Sequence, residues 1–325
     1  MMDKKLFLIT FFFVTLISCT QNDKVTLVNS SGRINHVLIV IKNSDWQGEV
    51  GDALRDIIAE PVVGLPQEEP QFSINQVAPG TFNSLFKRTR NILFVGIDKK
   101  ENFYTNYNIY ANPQITLTIL SENREALVEN INLHKDEIIS TFKKNDLIVY
   151  QKTLKRESYD RTTFNTFKNL NFSLRIPSGY KQVEDDGNFL WFRNTITKGL
   201  LNIVAYEIPK PLDNTFDLDY IIKHRDSIGK TRIPGQFENT YLKTEPQLRP
   251  ITKELKLANH KALEMRGLWI IENDFMGGPF ISYAIDDEKN NRLIIIEGFS
   301  YSPSSKKRDY VFELEAILKT IEFEK

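Results

Sequence analysis

Two styles of hydrophobic patterning divide the chain. From residue 34 to about 143, apolar runs that suit buried strands alternate with stretches of helical period. Residues 34–41 form a β-branched run fit for a strand covered on both faces. Val50, Ala53, Leu54, Ile57 and Ile58 recur at helical spacing, predicting an amphipathic helix stopped by Pro61. Strands are expected over 72–77, 91–97 and 114–120, with a short helix marked by Phe82, Leu85 and Phe86. Ser121 is expected to cap a longer helix with Leu127, Ile131, Ile138 and Phe142 on its inner face. The order βαβαββα predicts an α/β layer domain with a mostly parallel sheet.

From about Thr163 the pattern turns to strands joined by hairpin signals. A strand over 170–176 is expected to end at Pro177-Ser178-Gly179, and Asp185-Asp186-Gly187-Asn188 reads as a turn between two strands. A strand over 200–208 precedes a helix over 217–228, for which Gly229 is the expected residue just past the end. Strands over 251–258, 261–272, 279–286 and 292–301 follow. A closing helix over 305–320 presents Val311, Leu314, Leu318 and Ile321 on one face. This half is predicted to be an antiparallel sheet with helices packed on it, making the whole chain α+β.

The amino-terminal segment adds a location. Residues 6–17 are almost unbroken in apolarity, follow two lysines and end in Leu16-Ile17, directly before Ser18-Cys19. As a helix such a run spans about 18 Å against a hydrocarbon core of roughly 30 Å, which fits a secretion signal and not a resting span. Cys19 is the only cysteine, so a disulfide is excluded and a lipidation site remains. The expected processing leaves Cys19 at the amino terminus carrying a diacylglycerol and a further acyl chain such as palmitate, enough lipid for firm anchoring. The expected division is a signal peptide over 1–18, a tether over 19–33, an α/β domain over 34–160 and an α+β domain over 161–325. The tether reaches at most ~50 Å, so the folded body stays near its membrane, inner or outer, with the outer favoured.

Composition narrows the partners. Lysine plus arginine and aspartate plus glutamate are both 42. Removal of residues 1–18 leaves a charge of about −1, which implies no nucleic acid partner. The expected partners are the membrane, through the lipid, and another envelope protein or a glycan.

Two resemblances bear on architecture. The opening Phe172-Ser173-Leu174-Arg175-Ile176-Pro177-Ser178-Gly179-Tyr180 and the terminal amphipathic helix are similar to those of PsbP-like α/β/α sandwiches. That likeness covers only the second half and implies a fold, not an activity. Taken whole, the chain resembles an uncharacterised domain-of-unknown-function family of Bacteroidetes lipoproteins. Gly64-Leu65-Pro66-Gln67-Glu68-Glu69-Pro70-Gln71-Phe72 and Glu272-Asn273-Asp274-Phe275-Met276-Gly277-Gly278-Pro279-Phe280 carry this likeness. It implies localisation and architecture and adds no mechanism.

Motifs for chemistry are sparse. His36, His134, His224 and His260 lack partners at metal-ligand spacing, so no metal site or cofactor is expected. Gly298-Phe299-Ser300-Tyr301-Ser302 approaches a nucleophile elbow but ends in serine where close helix packing needs glycine. No phosphate-cradling glycine loop occurs, and no catalytic residue is assigned. Asp185-Asp186-Gly187-Asn188 lacks the further ligands of a calcium loop. Asp226-Ser227-Ile228 resembles the short O-glycosylation site of exported Bacteroidetes proteins. Two candidate binding clusters remain. Asp45 and Trp46 follow the first strand, at the carboxyl end where open parallel sheets bind ligands. Glu272, Asp274, Gly277 and Gly278 end an apolar strand in what reads as a Gly-Gly-Pro turn. The chain thus reads as a non-enzymatic envelope binding or assembly module. The alternative is an envelope hydrolase of unfamiliar type using carboxylates near Asp274.

Overall fold

A computed structural model describes residues 27–324, so Cys19, the expected leader and most of the tether lie outside the described residues. The first half comprises β1 (His36–Val40), α1 (Asn43–Trp46), α2 (Glu49–Ile58), β2 (Ser73–Val77), β3 (Asn91–Ile97), β4 (Asn102–Tyr107), β5 (Ile115–Ser121), α3 (Arg124–Leu133) and α4 (Lys135–Glu157). Its sheet has the order β2-β1-β3-β5-β4, parallel except for β4, which pairs antiparallel with β5 at the edge. Strand alternation sends Val37, Ile39, Leu93, Val95, Leu117 and Ile119 toward α2, α3 and α4. Leu38, Val40 and Ile92 face the other way, under Phe82, Phe86 and Tyr110. Cover on both faces is why these strands read as continuous apolar runs.

The mostly parallel α/β expectation holds for this half, with local corrections. Asn123, not Ser121, caps α3: its Oδ1 accepts from the Ala126 N–H at 2.9 Å, while Ser121 ends β5. The single helix expected beyond it is two, α3 and α4, meeting at His134. The helix expected around Phe82–Phe86 is a pair of 3₁₀ turns, Pro79–Thr81 and Phe86–Arg88.

The second half comprises α5 (Asn165–Leu170), β6 (Phe172–Ser173), β7 (Lys181–Asp185), β8 (Phe189–Ile196), β9 (Gly199–Pro209), α6 (Leu218–Arg232), β10 (Leu242–Thr244), β11 (Ile251–Leu257), β12 (His260–Ile271), β13 (Gly277–Asp287), β14 (Arg292–Tyr301), α7 (Arg308–Leu318) and β15 (Glu322–Phe323). The main sheet runs β10-β12-β13-β14-β9-β8-β7, antiparallel throughout, with β11 also paired to β12. One face carries Phe192, Ile203, Ile281, Tyr283 and Ile296 against α5, α7 and the end of α4. The opposite face carries Trp191, Tyr206, Trp269, Phe280 and Phe299, partly covered by α6.

Three expectations change here. Leu170 ends a helix, Asn171 stops it in the left-handed region (φ 58°), and only Phe172–Ser173 pair as a strand. Gly229 lies inside α6, where a Cβ would sit 2.1 Å from the Leu242 carbonyl oxygen; close packing, not helix termination, calls for it. Gly277-Gly278-Pro279 begins β13, and the turn is residues 272–276, with Asn273 at φ 60°.

Side chains from the first half finish the second. Glu69 is buried, and its carboxylate accepts from the N–H groups of Lys307 (2.6 Å) and Arg308 (3.1 Å) at the start of α7. Asn35 donates from Nδ2 to Asp309 at 2.9 Å, and Gln151 of α4 donates to the Ala316 carbonyl of α7 at 3.0 Å. The proline-flanked segment 61–70 therefore braces the two halves through a few residues, since Glu69 is buried, Leu65 packs on the larger core and Gly64 lies against Arg266, while 66–68 are exposed.

Candidate functional site

Helix α6 covers only part of its sheet face. It is anchored at mid-sheet by Arg225, whose guanidinium makes a buried two-pronged pair with Glu297 of β14 (2.8 and 2.7 Å). Arg225 also donates to Thr244 Oγ1 at 2.9 Å and lies 4.0 Å above the Phe280 ring. Beyond Arg232 the helix ends, and the sheet continues without it. The uncovered end forms a pocket of about 250 Å3, floored by Trp191, Asn202, Trp269, Phe299 and Tyr301 and walled by residues 233–236 and Met276.

Strand register builds this floor. Asn202 of β9 pairs with Arg193 of β8 on one side and with Phe299 of β14 on the other, so the three share one row and one face. Asn202 Oδ1 accepts from Trp191 Nε1 at 3.0 Å and from Arg193 Nε at 3.1 Å. The Arg193 guanidinium stacks on Trp191 at 4.7 Å. Burial lowers the Arg193 pKa from its ordinary value, and no ion pair among the described residues includes this side chain. Trp269 donates from Nε1 to the Ser300 carbonyl at 3.3 Å and meets the Phe299 ring edge-on at 5.5 Å. Arg193 is the one charged side chain in the lining, which is otherwise aromatic, aliphatic and amide.

The residues nominated from sequence fall in different places. Asp45 is buried in an ion pair with Arg124 Nε at 2.7 Å. Trp46 packs on the first-half core with Arg55 stacked over it at 4.5 Å, so this cluster braces α1 against α2 and α3. Glu272 is paired with Lys243, and Asp274 accepts from the Phe275 N–H at 2.6 Å. Neither carboxylate lines the pocket. Their hairpin nevertheless borders it through Met276 and through Gly278, where a Cβ would lie 2.0 Å from the Ser300 carbonyl oxygen and 3.2 Å from Trp269 Nε1.

Other motifs resolve into structure. Asp185 caps α5 through Asn165 and Thr166, and Asp186 closes its turn on Asn188 and Phe189 while pairing with Arg232. Ser300 sits within β14, not on a strand-to-helix turn. Asp226 lies in α6 with its carboxylate on Thr244, at 2.7 Å from the N–H. His134 stacks on Phe103 at 3.8 Å, and His260 Nδ1 meets the Asp286 carbonyl oxygen at 3.0 Å. Among the described residues no cluster of three or more His, Cys, Asp or Glu is placed to hold a metal, and no helix is long and apolar enough to cross a membrane.

The family described as Domain of unknown function (DUF4837) matches residues 158–320, which is the whole pocket-bearing sheet. The chain belongs to the DUF4837 family. A second family of unknown function, DUF8532, matches residues 30–155 of this DUF4837 protein. No curated protein matches it. Among solved structures, the Ran-binding protein Mog1p of Saccharomyces cerevisiae is similar over 47% of this chain and 90% of its own, with 8% identity and a TM-score of 0.32. LpqN of Mycobacterium tuberculosis, described as involved in cell envelope biogenesis, is similar over 47% of this chain and 83% of its own, with 9% identity and a TM-score of 0.30. Human STARD10 is similar over 51% and 84%, with 12% identity and a TM-score of 0.23. Likenesses this distant bear on neither ligand nor partner.

Proposed function

We propose that this DUF4837 protein is a lipid-anchored module of the bacterial cell envelope that holds a small ligand in the pocket at the uncovered end of its antiparallel sheet. The observation that carries the binding role is the lining: a largely aromatic floor surrounds one stacked guanidinium, with no lining carboxylate or histidine beside it. Such a floor supplies contact area and orientation. Proton transfer would most readily use a carboxylate or an imidazole, and the lining carries neither. The hydrolase alternative draws no support from the carboxylates near Asp274, since Glu272 is engaged by Lys243 and Asp274 by its own turn.

The anchor rests on the apolar leader and Cys19, with the outer membrane favoured and a Bacteroidetes origin in keeping with the sequence resemblance. An envelope protein or glycan within reach of the tether remains the expected neighbour. Metabolic labelling with a fatty acid tests the anchor, using wild type and Cys19→Ala. Label and membrane attachment should both vanish in the variant, and continued attachment would refute the assignment.

A further inference from the structure

The pocket's chemistry narrows its ligand. Arg193 is held at two points, by Nε on Asn202 and by its face on Trp191. Its terminal nitrogens make no hydrogen bond to described residues, which leaves a pre-positioned fork of the kind that grips a carboxylate with two parallel bonds. It carries the only charge in the lining, so the pocket matches a single negative charge. A phosphate dianion would call for a second cation.

The body of the ligand follows from the walls and the rim. Leu200, Ile233 and Ile271 line the pocket beside the two indoles. Gln236 and Met276 belong to the two bordering loops, and the residues beside them, Phe237 and Phe275, are large exposed aromatics. Asn273 Nδ2 ties these loops together through the Asn239 carbonyl at 3.3 Å. The exposed Phe237 and Phe275 rings at the rim add apolar contact area for the body of a ligand. A cavity of roughly 150 Å3 accommodates a benzene ring. At about 250 Å3 this pocket takes a ring with a short acid arm.

We infer that the site binds a small amphiphilic carboxylate, its ring or acyl body between Trp191 and Trp269 and its carboxylate on the Arg193 guanidinium. This rests on the proposed binding role of the same pocket and names the ligand class. The chain's three tryptophans give a direct probe. In a Trp46→Phe background both remaining indoles line the site. The mature chain in detergent is titrated with 3-phenylpropionate and with its neutral amide, reading indole fluorescence and the two indole N–H resonances.

The acid should perturb both indoles and saturate. The amide should bind weaker by roughly tenfold to a hundredfold, the span of a charge-assisted bond. Arg193→Gln should reduce the acid to the amide's affinity, and Arg193→Lys should retain part of the preference. Equal binding of acid and amide, or an unchanged acid affinity in Arg193→Gln, overturns the carboxylate assignment while leaving a ligand pocket standing. Unperturbed indoles with either compound at millimolar concentration, in a chain whose spectrum is that of the folded protein, overturn both.

Discussion

Removing the Glu69 carboxylate should loosen the second half from a position in the first. Helix α7 begins at Arg308 with no side-chain cap of its own, and its first N–H groups are satisfied by Glu69, 238 residues away. Loss of a helix cap costs about 1 kcal/mol and up to about 2. The lost charge at the positive end of the helix adds about 0.3–1 kcal/mol. Because the site is buried, Glu69→Ala should therefore destabilise the chain by about 2–3 kcal/mol. Glu69→Gln keeps an acceptor oxygen and should cost about half as much. Urea unfolding of wild type and both variants, followed by tryptophan fluorescence and by circular dichroism, reads the difference. A change below about 0.5 kcal/mol for Glu69→Ala would show that water replaces the carboxylate without penalty, and the brace would not exist in energetic terms.

Acid should attack the bridge between the sheet and α7. Burial opposes ionisation of Glu315, but Arg266 and Lys319 overcome it and hold the carboxyl at about 2, against an ordinary 4.5. Its folded pKa is depressed, so the stabilisation is complete above about 4.5 and is lost as pH falls from there toward about 2. That amounts to roughly 3 kcal/mol. Glu315→Gln should flatten the fall in urea midpoint between neutral and acid pH, and parallel curves would refute it. Gly278→Ala drives a methyl into the Ser300 carbonyl and toward the Trp269 indole, so it should cost about 1–3 kcal/mol and shift the Trp269 N–H resonance. An unchanged resonance and melting point would show that the close approach is not constraining. Glu297→Ala strands the buried Arg225 guanidinium and should cost about 3–5 kcal/mol, much of it recovered by replacing Arg225 with Met as well. Equal instability of the single and double variants would refute the pairing argument.

Much of the layering was legible because it rests on side-chain period. The runs at β1, β3 and β5 and the spacing in α2 follow directly from which faces are buried. Strand β4 escaped because it is an edge strand with both faces half-exposed, so its sequence Asn-Phe-Tyr-Thr-Asn-Tyr shows no apolar alternation. The length of α4 was hidden because its buried positions change partner. Ile138 and Phe142 face the first sheet, Asp146 accepts from the Asn35 N–H at 2.8 Å, and Leu154 joins the second-half core. Glycines misled twice, at Gly229 and at Gly277-Gly278, because a backbone approaching from a distant strand leaves no local signal. The pocket was illegible for a related reason. Trp191, Asn202, Trp269 and Tyr301 come from four strands, and each alone reads as a core or surface residue. Only the register of β8, β9 and β14 brings Arg193 and Asn202 into one row with Phe299.

Native mass spectrometry of the full chain, released gently from its own membranes, bears most directly on the proposed role. The expected species begins at Cys19, carries the mass of a diacylglyceryl group, and retains in part a small non-covalent adduct that is absent from Arg193→Gln. A chain with its leader still attached and no lipid, or a wild-type spectrum that lacks an adduct just as the Arg193→Gln spectrum does, would contradict a lipid-anchored binding module.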